Sequence, residues 1–389
     1  MILSLSGAVA SLFDKAIDRP VIGLRPAALA ARVRQTIDAF PGDVLYAVKC
    51  NAHPMVLRQL WSAGIRHFDT ASINEIRLVK SMLPNAACYF MHPVKSRRAI
   101  DEAYHHHGVR RFVVDHQSEL DKIIETLGEA QDLELVVRLA VPGEGAVLSL
   151  SGKFGADQDE ATMLVRRCKA IAARTGMTFH VGSQSLRPSD FAWAVRMVGD
   201  VANRVGGIDL LDVGGGFPAR YVGDEPEFPA FVDAIQTAIA ETGLECDLQC
   251  EPGRLLVADS ISVFTRVEMR RGKSLFVNDG VYGNLAETKW VGPQFPMRLI
   301  RDGDEPRVGR FGFDLFGPTC DTIDSMPGPH FLPADVVEGD WIEVAMMGAY
   351  SCALSTDFNG FGHAHWLLYE DGFWHEEVPA EPLQARHLA

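Results

Sequence analysis

The chain has 389 residues, a formal net charge of −14 and a hydrophobic content of 47%. The negative charge argues against a nucleic-acid-binding protein, because phosphate affinity depends on clustered Lys and Arg, and no basic stripe interleaved with aromatic residues occurs. The length exceeds that of one small core, and it predicts two domains or one large barrel with an attached unit.

The first twenty residues, MILSLSGAVASLFDKAIDRP, contain an apolar run that Asp14, Lys15 and Asp18 interrupt well short of a membrane span. They predict an amphipathic opening helix, and no later segment is apolar over the thickness of a bilayer. The seven cysteines show no CxxC spacing and are too sparse for a secreted disulfide scaffold. We therefore expect a cytoplasmic protein.

From residue 44 onward, short β-branched runs alternate with longer stretches whose apolar residues recur every three to four positions. Eight such alternations predict an α/β fold, a (β/α)8 TIM-like barrel in which every strand is paired. An open doubly wound sheet is the alternative. The eight predicted strands are 44–50, 66–71, 88–92, 110–115, 133–140, 178–183, 209–215 and 247–252.

After about residue 265 the pattern changes to strand-like runs separated by Gly, Pro and Asp turns, without long helices between them. This pattern predicts a C-terminal, mostly antiparallel β domain. The segment RPVIGL, at 19–24, resembles a strand that pairs with this domain. The expected division is a barrel over 26–265 and a β-rich domain formed by 1–25 and 266–389.

Polar residues collect at the carboxyl ends of the predicted strands, where the loops of a barrel surround one mouth. A single lysine at the end of an apolar strand is more often a snorkelling or paired side chain than a catalytic one. Six coincidences of this kind favour a functional site instead. They are Lys49, Asp69, Arg138, His180 with Ser183, Gly214–Gly216, and Glu251 with Arg254.

The segments GGGFP (214–218) and EPGR (251–254) suggest a phosphate site built from the late barrel loops. Glycines let the backbone approach a bound group, and the GxGxxG spacing of a dinucleotide site is absent. A tight turn and a surface salt bridge are the ordinary alternatives. An amine, a carboxylate and a histidine ring near such a pocket suggest pyridoxal phosphate, with Lys49 holding its aldehyde.

Ten segments resemble, in order and over nearly the whole chain, the eukaryotic-type ornithine decarboxylases and their bacterial lysine/ornithine and diaminopimelate relatives. These are pyridoxal-phosphate enzymes of the alanine-racemase-like barrel class. The resemblance implies a decarboxylase that converts ornithine or lysine to a diamine and CO2 in polyamine biosynthesis. The segments are YAVKCN, FDTAS, SGKFG, HVGSQ, LLDVGGGFP, EPGR, VNDGVYG, GPTCD, MGAY and DFNGF.

The resemblance also implies roles for single residues. Lys49 would hold the cofactor, His180 would stack on its ring, and Glu251 would face the pyridine nitrogen and keep it protonated. The residues that support the site from nearby would be Asp69, Glu75 and Arg138. The phosphate would be bound by Ser183, Gly214, Gly215, Gly216, Gly253, Arg254 and Tyr350.

In this family the active sites form between the two subunits of a head-to-tail dimer, and the GPTCD loop crosses the interface. The resemblance therefore implies that Cys320 donates a proton to Cα of the substrate on the neighbouring subunit. Asp321 would meet the distal amine of the substrate, and Phe358 would also lie in the substrate site. Simple packing is the ordinary alternative for a cysteine.

One departure from the family concerns the substrate. After VNDGVYG these decarboxylases usually carry an acid that binds the distal ammonium, whereas this chain has Trp290 or Val291 at about that position. Loss of one carboxylate partner costs about 1.5–3 kcal/mol. Glu287 and Asp357 are candidates to replace it. A different amino-acid substrate stays open, as do a racemase and a non-catalytic regulatory homologue, against which the retained site residues argue.

The run YHHHGVRR, at 104–111, raises the question of a metal site. Three consecutive histidines on a helix point in different directions, and no carboxylate stands at ligand spacing. A solvated helix end is the expected structure, and no metal is expected.

Overall fold

The computed structural model describes residues 2–4, 17–128, 130–142, 145–148, 152–221, 223–290, 295–301 and 309–370. These residues form α-helices and β-strands that are numbered in chain order. The helices are α1 (Pro26–Ala39), α2 (Pro54–Ala63), α3 (Ile73–Met82), α4 (Arg97–His105), α5 (Gln117–Leu127), α6 (Gln158–Lys169), α7 (Pro188–Val205), α8 (Phe228–Thr242), α9 (Arg254–Val257) and α10 (Glu287–Trp290). The strands are β1 (Ile2–Ser4), β2 (Val21–Leu24), β3 (Asp43–Ala47), β4 (His67–Thr70), β5 (Ala87–Phe90), β6 (Arg111–Val114), β7 (Glu134–Leu139), β8 (Ala146–Leu148), β9 (Arg174–Phe179), β10 (Ser183–Ser185), β11 (Leu210–Asp212), β12 (Asp247–Cys250), β13 (Ile261–Arg271), β14 (Ser274–Val277), β15 (Met297–Ile300), β16 (Arg310–Phe316), β17 (Ser325–Pro333), β18 (Trp341–Val344) and β19 (His365–Glu370).

Eight parallel strands close into a barrel in the order β3, β4, β5, β6, β7, β9, β11 and β12. The last strand, β12, pairs with the first, β3, so the sheet has no edge. Strands such as β6 are buried along their whole length, as expected where helices cover the outer face of a parallel sheet. The closed barrel confirms the predicted fold class and excludes the open doubly wound sheet.

The sixth barrel strand begins earlier than the sequence predicts. It is β9, at Arg174–Phe179 instead of 178–183, and the helix before it ends at Lys169. The apolar spacing continues past that helix end, so periodicity alone placed the boundary too late. Gly176, which resembles a helix stop, instead allows β11 to approach: a Cβ on Gly176 would lie 2.8 Å from the carbonyl oxygen of Leu210.

The remaining large sheet has nine strands, in the order β1, β19, β2, β13, β14, β16 and β17, with β18 pairing to β13 and β15 to β18. Most of the pairs are antiparallel, which confirms the predicted second domain. The N-terminal strand β2 lies between β13 and β19. The sheet strand β13 begins at Ile261, before the boundary expected at residue 265.

The opening segment differs from the predicted amphipathic helix at its start. Residues 2–4 form β1, which pairs in parallel with β19. The unpaired edge of β19 offers backbone partners that local apolar spacing cannot anticipate. Residues 5–16 lie outside the described part of the chain. No helix within the described ranges is long and apolar enough to span a membrane.

Four buried phenylalanines pack α7 and α8 against the loop that follows β11. Phe217 stacks on Phe191 with ring centroids 4.6 Å apart, and it meets Phe228 and Phe231 edge-on at 5.0 and 5.9 Å. Phe217 directly follows the glycines 214–216. The aromatic cluster therefore fixes the end of the loop that leads into the barrel mouth.

The substitution Phe191→Ala would remove the ring at the centre of this cluster. We expect the free energy of unfolding to fall by about 3–5 kcal/mol, because the loss of a buried ring leaves a cavity. Urea denaturation at fixed protein concentration measures this loss of unfolding free energy. Phe331→Ala is the matched control, since Phe331 is 50% exposed and its loss should cost less than about 1 kcal/mol. Equal losses in the two variants would contradict the packing role.

Candidate active site

Lys49 stands on a turn at the barrel mouth. The strand β3 ends at Ala47, and Val48–Cys50 form one 3-10 turn instead of the last residues of the predicted strand. The neighbours of Lys49 on either side are buried. Its Nζ donates a hydrogen bond of 2.8 Å to Oδ2 of Asp69, which lies on the adjacent strand β4. Neighbouring strand ends thus place an amine against a carboxylate, as the sequence suggested.

The pKa of Lys49 results from two opposed effects. Burial lowers this pKa, but the carboxylates of Asp69 and Glu251 outweigh burial and raise it above the ordinary value for lysine. The amine is therefore cationic in the ligand-free protein at neutral pH. Since only the neutral amine attacks a carbonyl carbon, Lys49 must pass its proton to a neighbour before it can react.

Glu251 and Asp212 form a buried carboxyl pair at the ends of β12 and β11. Burial and the charge of Asp212 raise the pKa of Glu251 well above its ordinary value, and burial raises the pKa of Asp212 to about 6. Oε1 of Glu251 and Oδ2 of Asp212 have no other hydrogen-bond partner among the described residues. One proton shared between the two carboxyl groups satisfies both atoms. Oδ1 of Asp212 accepts the N–H of Gly214 at 2.8 Å.

His180 follows β9 and faces the same cavity. Its Nδ1 accepts the N–H of Gly182 at 3.0 Å, so the neutral ring carries its proton on Nε2. Burial, followed by the charges of Arg138 and Lys49, lowers the pKa of His180 well below its ordinary value. A flat, neutral ring therefore lines this wall of the site.

The glycine loop lies close to the histidine. Gly214 and Gly216 have φ angles of 65° and 102°, which favour glycine. A Cβ on Gly215 would lie 2.6 Å from the carbonyl oxygen of Glu251 and 3.6 Å from Nε2 of His180. Glycine at these positions keeps the loop flat against the end of β12.

Arg254 is the centre of a second group of polar side chains. It is 4% exposed. Its Nη1 donates to the hydroxyl of Tyr221 at 2.7 Å, and its Nη2 donates to Oγ of Ser183 at 3.2 Å. Nη1 also forms an ion pair with Glu287. The guanidinium carbon lies 5.1 Å from the ring centroid of Tyr350. We call these five residues the Arg254 cup.

Two hydrogen bonds connect the β domain to the turn that carries Lys49. The N–H of Tyr350 donates to the carbonyl oxygen of Cys50 at 2.9 Å. Nδ2 of Asn51 donates to the carbonyl oxygen of Gly348 at 2.9 Å. On the barrel side, a Cβ on Gly253 would lie 2.9 Å from Cβ of Cys50, so glycine lets the EPGR segment pack against the turn.

The structure brings most of the predicted residues together. Lys49, Asp69, Arg138, His180 and Glu251 line one cavity at the barrel mouth. The other residues that line this cavity are Ala71, Met91, His92, Pro93, Phe154, Thr178 and Phe179. The predicted phosphate ligands Ser183, Gly214, Gly215, Gly216, Gly253, Arg254 and Tyr350 lie beside it, in or around the Arg254 cup.

Three predicted substrate residues lie outside the cavity that contains Lys49. Cys320 and Asp321 line a different cavity, and within the described ranges the two cavities have no lining residue in common. The amide oxygen of Asn359 lies 3.4 Å from both N and Sγ of Cys320. Asp321 accepts the hydroxyl of Tyr282 at 2.6 Å, and the ring centroid of Phe358 lies 4.8 Å from that of Tyr282.

The two candidates for the missing distal acid differ in their surroundings. Glu287 points into the Arg254 cup, because the short helix α10 turns it inward, where it is 2% exposed. Asp357 is exposed and lies 3.5 Å from Nε2 of His363. Trp290 ends α10, but its side chain, like the whole of Val291, lies outside the described residues.

Glu75 caps a helix at the barrel mouth. Its carboxylate accepts the N–H of Ala71 at 2.6 Å, while Oγ of Ser72 accepts the N–H of Glu75 at 3.2 Å. This reciprocal pair is a capping box that starts α3. The observed contacts of Glu75 therefore fix the loop after β4, which carries Ala71 into the cavity.

The expectation that no carboxylate stands at ligand spacing from the histidine run is wrong, because Asp101 lies one helical turn before His105. His105 lies 3.7 Å from Asp101, and His107 lies 3.3 Å from Glu102. Among the described residues, no group of three or more His, Cys, Asp or Glu is arranged to hold a metal ion.

Sequence reasoning missed several residues of the site. Asp212 had a visible signal, because it is an acid inside the apolar segment LLDVGGG, directly before the glycine loop. Phe154 lies in the SGKFG segment that carries part of the resemblance, but no role was assigned to it, and Tyr221 lies in a loop whose path the spacing does not determine. Asn359, next to the predicted Phe358, is held at a φ of 54°, a conformation that asparagine tolerates better than most residues.

Pyridoxal phosphate fits the residues present. Nε of Arg254 is buried and has no hydrogen-bond partner among the described residues, so one guanidinium N–H is open to an anion. Glycine at position 215 lets the loop backbone lie directly against the carbonyl oxygen of Glu251, where a Cβ would collide with it. At the other end, the proton on the Glu251 pair matches what a pyridine nitrogen binds.

The substitution Asp69→Asn would remove the carboxylate that raises the pKa of Lys49, while burial, which lowers this pKa, would remain. We expect the pH at which Lys49 reacts with an amine-specific reagent to fall by at least about one unit in the ligand-free protein. Mass spectrometry of the Lys49 peptide over a pH series measures it. Asp43→Asn, at the opposite end of the barrel, should keep the wild-type profile; the same profile in Asp69→Asn would refute the argument.

Comparison with known proteins agrees with this site. Residues 27–258 match the family described as pyridoxal-dependent decarboxylase, pyridoxal binding domain. The chain is 33% identical over 350 residues to the decarboxylase flvG of Aspergillus flavus, which covers 83% of this chain and 79% of that protein. It is 31% identical over 339 residues to the lysine/ornithine decarboxylase of Selenomonas ruminantium, with 84% of each chain covered.

The fold agrees as well. The crystal structure of the arginine decarboxylase of Paramecium bursaria Chlorella virus, bound to agmatine, superposes with a TM-score of 0.82 at 27% identity and covers 93% of this chain and 99% of that one. The barrel, the paired amine and carboxylates, and the sequence match lead to one conclusion. The chain belongs to the pyridoxal-dependent decarboxylases of the alanine-racemase-like barrel class, the family of the ornithine decarboxylases, and pyridoxal phosphate is its cofactor.

Proposed function

We propose that this enzyme removes the α-carboxylate of a basic amino acid, with ornithine and lysine as the leading substrates, and releases a diamine and CO2. The observation that carries the proposal is the barrel mouth itself, where Lys49 meets Asp69 at one end and the Arg254 cup lies at the other. Two relatives support the substrate class, since they are named as lysine/ornithine and arginine decarboxylases.

Each residue at the barrel mouth has a proposed role that follows from its position. When bound, the pyridoxal ring supplies an electron sink for the electron pair left by the departing carboxylate. Lys49, once it has passed its proton to a neighbour, would hold the aldehyde carbon. Asp69, within hydrogen-bond distance of that amine, would orient it. Glu251 would hold a proton toward the ring nitrogen, and the neutral ring of His180 would cover one face.

The phosphate end is held by a set that combines charge with backbone approach. Arg254 supplies the positive charge and the open Nε–H. The hydroxyl of Ser183 and the ring of Tyr350 border the guanidinium. The glycines 214–216 and Gly253 let the backbone come close to the anion.

A homodimer would complete the site. Cys320 is exposed and lies in a cavity separate from that of Lys49. Exposed apolar side chains stand near it, with Ile323, Phe358 and Phe361 at 56, 42 and 41% exposure. A cluster of this kind beside a thiol favours burial against a second copy of the chain. We propose that Cys320 then donates the proton to Cα of the neighbouring subunit's substrate.

Asp321 is the proposed partner of the distal ammonium. The N–H of Ile323 and the hydroxyl of Tyr282 lower the pKa of Asp321, so its carboxylate is ionised at neutral pH. Glu287 is paired with Arg254, whereas Asp321 lies in the same loop as the proposed proton donor Cys320. Charge complementarity therefore supports a cationic side chain in the substrate.

The same proposal includes a cellular setting. All seven cysteines are free thiols, four of them buried, which supports a reducing cytoplasm. A diamine product would place the enzyme in polyamine biosynthesis.

The purified enzyme with pyridoxal phosphate should release CO2 from ornithine or lysine. Lys49→Ala should lower this rate by at least about 10²-fold, because the amine that would hold and orient the cofactor is lost. Borohydride reduction should fix the cofactor on the Lys49 peptide in the wild type and not in the variant. Lys169→Ala, on the outer surface, is the control. Inversion of the amino acid without CO2 release would indicate a racemase and contradict the proposal.

A second experiment tests the shared site. Lys49→Ala and Cys320→Ala chains should each be nearly inactive as homodimers. Mixed and allowed to exchange, half of the dimers carry one chain of each kind, and each of these has one intact site. We expect recovery of about one quarter of the wild-type activity. Native mass spectrometry of differently tagged chains confirms exchange; full exchange without recovery would show that Cys320 does not act across a dimer interface.

A further inference from the structure

Glu287 lies in the Arg254 cup although nothing in the proposed reaction requires a carboxylate there. Its side chain is 3% exposed and that of Arg254 is 4% exposed, and the two form an ion pair. Glu287 is carried by α10, in the β domain, while Arg254 opens α9 at the end of the barrel. The contact thus places an acid beside the cation that is proposed to bind phosphate.

The other titratable groups around Arg254 stay neutral near physiological pH. Burial raises the pKa of Tyr221 to about 12 and that of Cys50 to about 12. Burial raises the pKa of Tyr350 as well. Glu287 differs, because burial raises its pKa from an acidic starting value while Arg254 opposes that shift. Glu287 is therefore the member of this cup that can change its charge.

Phosphate binding would place two anionic groups on one guanidinium. Nη1 of Arg254 already serves Glu287 and Tyr221, and one N–H of Nη2 serves Ser183, which leaves Nε and the second N–H of Nη2 for the incoming anion. A dianion beside an ionised Glu287 would bring like charges close together in a buried site, where such repulsion is strong. A proton on Glu287 removes the repulsion and gives the carboxyl group a hydrogen to donate.

We propose that Glu287 takes up one proton from solvent when the phosphate group of the cofactor binds at Arg254, so that anion binding in the cup weakens as the pH rises. The inference rests on the proposed phosphate site. The balance is simple: one proton leaves solvent and forms one O–H bond on Glu287, the carboxyl group becomes neutral while Arg254 stays cationic, and the guanidinium then faces the phosphate as its anionic partner. Cofactor retention would then depend on pH through a residue outside the reacting centre.

Sulfate is the probe that isolates this effect, because it stays a dianion between pH 5.5 and 8.5, so any change in its affinity belongs to the protein. Titration calorimetry of the cofactor-free, full-length enzyme gives the Kd. Above the pKa of Glu287 we expect the Kd for sulfate to rise by up to about tenfold per pH unit, the slope for one linked proton. Calorimetry in two buffers of different ionisation enthalpy should show uptake of about one proton per sulfate.

Three variants locate the effect. Glu287→Gln should bind sulfate and pyridoxal phosphate about tenfold or more tightly than the wild type at pH 8, with a Kd for sulfate that no longer changes with pH. Ser183→Ala should weaken sulfate binding and keep the pH slope, which places the anion in the cup. Glu125→Gln is the matched control: Glu125 is 62% exposed and pairs with Arg97 on the surface, and its variant should behave as the wild type.

The outcomes separate this inference from the proposed function. If the wild type binds neither sulfate nor pyridoxal phosphate, the phosphate site itself is wrong. If it binds sulfate with a Kd that does not change with pH, the site stands and the proton linkage is overturned. A wild-type slope in Glu287→Gln also overturns it. Should Glu287→Gln fail to fold, the proton uptake of the wild type decides alone.

Discussion

Closure of eight parallel strands into one barrel obliges their carboxyl ends to meet at a single mouth, and the active site depends on this constraint. Separate segments of the chain each contribute one polar group there, and none of them needs a long loop to reach the others. The pair between Lys49 and Asp69 is the clearest case, since neighbouring strand ends bring the two atoms within 2.8 Å. Burial then gives their charges an influence that they would lack in water.

The ligand-free protein satisfies its buried charges internally. At the proposed ring end, Asp212 and Glu251 form a buried pair that resists double ionisation, and at the proposed phosphate end Arg254 pairs with Glu287. Unpaired buried charges are costly, so each end keeps a partner when the cofactor is away. Both arrangements rest on carboxyl groups whose pKa is raised by burial. Binding can therefore proceed by movement of protons, with little movement of side chains.

The part of the site that sequence reasoning predicted follows from strand position. Lys49, Asp69 and Glu251 were identifiable because a polar residue at the end of an apolar strand must face the mouth or the core. The part that it did not predict depends on how loops and short helices turn. The side chain of Glu287 points inward because of the packing of α10, which no spacing rule encodes. The early start of β9 depends on a close approach between strands that exists only in the folded barrel.

Two hydrogen bonds directly after Lys49, from the N–H of Tyr350 to the carbonyl oxygen of Cys50 and from Nδ2 of Asn51 to the carbonyl oxygen of Gly348, join the Lys49 turn of the barrel to the β domain. The position of the reactive amine is thus determined jointly by two parts of the chain that are far apart in sequence. Chimaeras that combine the barrel of one decarboxylase with the sheet of another inherit this dependence. The YAVKCN and MGAY segments form one unit of exchange, and they have to come from the same parent.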